Sequence, residues 1–153
     1  MNNSALTKAT YPLIIGGKEF AASTLTDKDY GEMDLYIQSK VIEVARVSSI
    51  GLFPTDRSEL LQAAVKAAAS SGWGTQEGSR ILATVEGTAR LGWQMIRANS
   101  RISFEEFLKL CRGDSVAATT DSMEAIQIAF NKLNGEDEEE EVKEASSESP
   151  KSQ

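Results

Sequence analysis

From Thr26 to Gly135 apolar side chains recur at steps of three and four residues, broken by short clusters rich in Gly, Ser and Pro. That period commits most of the chain to amphipathic helices, because only a 3.6-residue repeat brings such positions onto one face. A first helix is expected over 27–47. Thr26 is a good N-cap, Asp27 and Asp29 fall in the first turn, and Tyr30, Met33, Ile37, Val41 and Val44 form the stripe. The link from Ser48 to Pro54 ends it, and Thr55 is expected to cap a second helix that buries Leu60, Leu61, Ala64, Val65 and Ala68. A third is expected from about Gln76 or Ser79 to Ala98, with Leu82, Val85, Ala89, Trp93 and Ile96 inward; Gly87 and Gly92 within it call for a close neighbour. Ser103 and Glu106 have capping-box spacing, with Ile102 and Phe107 placed as a hydrophobic staple, so a short helix runs to Arg112 and ends at Gly113. A last helix is expected from Asp121 to Asn134-Gly135, with Met123, Ile126, Phe130 and Leu133 inward.

One stretch has a different character. In Tyr11–Ala21 two short apolar arms flank Gly16-Gly17, which supply the positive φ values of a tight hairpin turn. Pro12 confines this hairpin to an edge, and Leu13, Ile15 and Phe20 need a helical surface to pack on. The expected fold class is mainly α: about five helices, a small N-terminal β-hairpin and a disordered acidic C-terminal tail. The expected organisation is a flexible lead-in over 1–10, a single helical domain over 11–135, and the tail over 136–153.

Charge separates the tail from the rest. Residues 136–153 carry eight acids against Lys143 and Lys151, so they hold −6 of the chain's net −7 and leave residues 1–135 close to neutral. The tail has no aromatic residue and too little apolar surface to fold, and reads as a solubilising extension or a docking segment. A near-neutral body under an acidic tail disfavours nucleic acid as a partner. No run approaches the ~20 apolar residues of a membrane span, and the polar start has no secretory character, so a cytoplasmic protein without a membrane partner is expected.

The chain has no His and one Cys, which removes imidazole relays, most zinc sites and any internal disulfide. Cys111 sits at helical spacing among Leu residues and reads as a small core residue. Asp27, Asp29 and Asp34 are placed to stabilise a helix start or face water. Gly16-Gly17-Lys18 lacks the upstream Gly, the following Ser or Thr, and the helix of a phosphate loop. No enzyme, no cofactor and no metal is expected. Trp73, set between Gly72 and Gly74, either tucks back against the end of a helical core or serves as a binding hot spot.

The order of these features resembles the tail assembly chaperones of long-tailed (siphovirus-like) bacteriophages. Leu13-Ile14-Ile15-Gly16-Gly17-Lys18-Glu19-Phe20 followed by Leu25-Thr26-Asp27-Lys28-Asp29-Tyr30 is similar to the family's opening line. Leu91-Gly92-Trp93-Gln94-Met95-Ile96-Arg97 and then Arg101-Ile102-Ser103-Phe104-Glu105-Glu106-Phe107 are similar to its apolar, Trp-bearing helix and the capped helix after it. The resemblance spans most of 11–135 and is thin over 48–80. It implies a protein that keeps the tape measure protein soluble until the tail tube assembles, is absent from the finished virion, and works in the bacterial host cytoplasm. As further partners it admits the tail tube protein and other copies of itself. It also implies an apolar client groove, for which Leu52, Phe53, Trp73 and Trp93 are the candidate lining residues. The family often has a second form made by ribosomal frameshifting, and Ser149-Pro150-Lys151 is compatible with slippery codons. Two other readings stay open: a head–tail connector that remains in the particle, and an acidic regulatory protein that binds a basic host partner.

Overall fold

The computed structural model describes residues 9–135, so the acidic tail, the first eight residues and the Pro150-Lys151 pair lie outside the described residues. The architecture is mainly helical, with a two-stranded antiparallel hairpin first and six helices after it. Two compact units emerge. Among the described residues, one comprises 9–24 together with 92–135; the other is Leu25–Leu91.

In the first unit β1 (Thr10–Ile15) pairs with β2 (Lys18–Ser23) through the expected turn, Gly16 and Gly17 both having positive φ. The register sets Leu13 opposite Phe20, and Leu13, Ile15, Phe20 and Ala22 on one face are all buried. Their cover is helical. Helix α6 (Val116–Leu133) packs on β1, and Phe107 of α5 (Phe104–Arg112) meets Phe20 edge-on at 5.7 Å. Asn99 ties the end of β2 down, its Nδ2 donating to Ala21 O (3.0 Å) and Ser23 Oγ (2.8 Å). Gly92, which the sequence left in need of a reason, has one: a Cβ there would lie 2.8 Å from Ile126 Cδ1 and 3.1 Å from the Phe107 ring.

In the second unit α1 (Asp27–Ser48) starts with a complete capping box, Asp29 N donating to Thr26 Oγ1 and Thr26 N to Asp29 Oδ2. Met33, Tyr36, Ile37 and Ala45 are its buried residues, and α2 (Pro54–Ala69) packs against it, burying Ala64 and Ala68. Helix α3 (Gln76–Leu82) follows, also against α1.

Several sequence expectations need correction. The third helix is two, α3 and α4 (Val85–Ile96). Thr84 makes the break: its Oγ1 donates to Ile81 O and accepts from Gly87 N, while Thr88 Oγ1 donates to Leu82 O. Gly87 is required because a Cβ there would run into the Ile81 carbonyl. Helix α6 begins five residues earlier than Asp121, since Ser115 Oγ accepts from Ala118 N. Helix α2 is entered at Phe53, with Pro54 rather than a Thr55 cap in the first turn. Val44 and Val65, assigned to inner stripes, are exposed. At α5 the Ser103 bond to Glu106 N is formed.

Candidate functional site

The second unit places unusually many large apolar side chains in water. Leu35, Val44, Val47, Ile50, Leu52, Phe53 and Val65 are all exposed, five of these seven between Val44 and Phe53. The cause lies in how α1 and α2 meet. Where α2 packs on α1 the residues it buries are Ala64 and Ala68, small side chains that leave its larger residues for a second stripe. Pro54, Arg57, Leu61 and Val65 on that stripe, with Leu52 from the preceding link, line an open, mostly apolar groove of about 580 Å³; Ser58 and Gln62 complete its wall. Phe53 enters α2 without a polar side-chain cap and stands 80% exposed between Leu52 and Pro54.

Of the four candidate lining residues, Leu52 lines this groove and Phe53 adjoins it in sequence. Trp73 is elsewhere in the same unit: it is half-buried, its ring meets Tyr30 edge-on at 5.1 Å, and its backbone N–H donates to Asp34 Oδ1 at 2.6 Å. Trp93, in the first unit, is half-buried too. Its Nε1 donates to Ile102 O at 3.0 Å, Phe104 lies edge-on at 6.0 Å, and the Arg97 guanidinium stacks over the ring at 5.0 Å. Both indoles are thus engaged within the fold. Arg57, Leu61 and Val65 were missed as lining residues. Their spacing from Pro54 is a legible helical stripe, but a two-striped helix does not announce which stripe faces in.

Acid–base chemistry gathers at one further place in this unit. Lys40 Nζ lies 2.9 Å from Glu86 and 3.0 Å from Glu43. Burial opposes its charge, yet the hydrogen bonds to the two carboxylates outweigh burial and raise its pKa. The Tyr36 ring lies under Lys40 and Arg90, and burial, with Glu86 adding, pushes its phenol up to about 12. These residues line neither the α2 groove nor a second, more polar one of about 590 Å³ in the first unit, between the Gly16-Gly17 turn and Leu110, Asp114 and Asp121. Cys111 is fully buried, and burial pushes its thiol up to about 12. Among the described residues no three acidic or thiol side chains gather closely enough to hold a metal ion, and no helix is long and apolar enough to cross a membrane.

No protein-family model, curated protein or solved structure matches this chain.

Proposed function

We propose that this chain is a tail assembly chaperone of a long-tailed bacteriophage, a non-enzymatic holdase for the tape measure protein in the host cytoplasm. The resemblance over most of 11–135, thin over 48–80, is what suggests the family. The apolar surface of Leu25–Leu91, with Leu52 in the groove and Phe53 beside it, supports the mechanism. A holdase lowers the free concentration of aggregation-prone apolar helix faces by covering them, and an amphipathic client helix would seat its apolar side in the α2 groove.

The proposal requires a long reading frame for a tape measure protein beside this chain's gene, and co-expression with the product of that frame tests it. The client is expected in the soluble fraction, and Phe53→Asp together with Leu52→Asp should return it to the pellet while circular dichroism stays unchanged. A client that stays insoluble beside the unaltered chain, or recovery of this chain from purified virions as a connector would be, defeats the reading. Sequencing the Pro150-Lys151 codons and mass spectrometry across them test for the frameshifted form.

A further inference from the structure

We infer that Arg57 makes the α2 groove selective for acidic amphipathic helices: the client helix seated there carries a Glu or Asp beside its apolar stripe, and that carboxylate pairs with the Arg57 guanidinium. This rests on the reading of the groove as the client's seat. Among the described residues that line the groove Arg57 alone is ionised; Ser58 and Gln62 are neutral and the others apolar. At about 100° per residue, Leu61 and Val65 follow Arg57 around α2, and Ser58 and Gln62 lie beyond them. The cation thus stands on one side of the apolar stripe and the two neutral side chains on the other. Gln62 Nε2 donates to Ser58 Oγ at 3.5 Å, so that side meets part of its own hydrogen-bonding need. Arg57 has no such neighbour. The positions three and four residues away, which a helical side chain can reach, hold Phe53, Pro54, Leu60 and Leu61. Asp56 is turned a further step away from the stripe, and Arg57 forms no ion pair with another described residue.

Arg57 is exposed while the groove is open. A helix that covers Leu52, Leu61 and Val65 also takes water from the guanidinium, and burying part of that charge against an apolar side chain opposes binding. A carboxylate opposite it offsets that cost through a charge-assisted, bidentate pair, whereas a lysine there adds repulsion. The same residue therefore favours one class of amphipathic helix and rejects another. Pro54 to Val65 spans about 17 Å of helix axis at 1.5 Å per residue, room for about three turns of client. Recognition is then of a short pattern, apolar residues at i, i+4 and i+7 with an acid on the flank of that stripe.

Fluorescence anisotropy with the full chain tests this, using three labelled synthetic helical peptides that share Leu at i, i+4 and i+7 and differ only at i+3, which is Glu, Gln or Lys. The Glu peptide is expected to bind with a dissociation constant of about 10–100 μM, the Gln peptide about threefold to tenfold more weakly, and the Lys peptide more weakly still. Arg57→Glu, folded by circular dichroism, should reverse the order so that the Lys peptide binds tightest. Lys66→Glu makes the same charge change on α2 outside the groove and should leave the order as it was. Equal binding of the Glu and Lys peptides, an order that survives Arg57→Glu, or one that Lys66→Glu also reverses would each overturn the inference. So would binding of none of the peptides, whether a second copy, the chain's own acidic end or water alone occupies the groove. A chain that keeps the tape measure protein soluble without preferring the Glu peptide defeats only this inference; one that sorts the peptides but leaves that client insoluble defeats only the earlier reading.

Discussion

The two units use their apolar residues in opposite ways. The largest fully buried apolar side chains of the first include Leu13, Ile15, Met95, Ile96, Phe107 and Ile126; those of the second are Met33 and Ile37. The second unit instead leaves Val44, Val47, Ile50, Leu52, Phe53 and Val65 in water and packs α1 on α2 through alanines. A core made of large interlocking side chains resists change, whereas a small-residue seam holds two helices together and releases the large residues for something else. Large buried side chains are thus concentrated in the hairpin, the end of α4, α5 and α6, and large exposed apolar ones in α1, α2 and the link between them.

The strongest way to break that contrast is to truncate one phenylalanine in each unit. Phe107→Ala removes a fully buried ring packed on Phe20 and should cost about 3–5 kcal/mol in urea denaturation. Phe53→Ala should change stability by no more than about 0.5 kcal/mol, because its ring is already in water. Comparable losses would show that Phe53 carries a core of its own.

Alkaline titration sharpens the comparison with a smaller effect. The Cys111 thiol and the Tyr36 phenol, each pushed up to about 12 by burial, keep their protons in the folded chain where the unfolded chain gives them up. Lys40, whose pKa is also raised, holds its proton in the same sense. The stability tied to these protons is complete below about pH 8.5, where an unfolded thiol begins to ionise, and drains away as pH climbs toward 12. The urea midpoint should fall over that range. Cys111→Ala should remove the part that begins near 8.5, and Tyr36→Phe the part that begins near 10. A midpoint flat from pH 8 to 11 would mean that neither group is held as buried.

The smallest effect separates helix starts. Thr26→Ala removes the Oγ1 that accepts from Asp29 N and donates to Asp29 Oδ2 while leaving the backbone half of the box, and Ser103→Ala removes an N-cap bond, so each should cost about 1 kcal/mol in the same denaturation measurement, Thr26 the more. A larger cost at Ser103 would mean that the start of α5 also depends on contacts beyond the cap.

Much of this architecture was legible in the residues alone. Gly16-Gly17 between apolar arms meant a two-residue hairpin, and Thr26 with Asp29 opened α1, because turn and cap chemistry act over three or four residues and owe little to the rest of the chain. The burial of Cys111 followed from its place on an apolar stripe. Of the candidate surface, Leu52 and Phe53 were within reach as large apolar residues in a helix link, while Trp73, readable as tucked back or as a hot spot, and Trp93, also on an inward stripe, are engaged by Tyr30 and by Ile102 and Phe104.

What only the tertiary structure decided is how ambiguous stripes were divided. Residues 76–98 carry an unbroken apolar period, and the helix breaks at Thr84 because a hydroxyl can satisfy Ile81 O while Gly87 admits that carbonyl at close range. No periodicity encodes such a choice. Helix α2 likewise carries two apolar stripes, and Val65 stays outside because the alanines fit closer to α1. Local sequence determines where a helix can begin and which faces are apolar; which face is buried depends on the shape of a neighbour, and that shape exists only once the chain has folded.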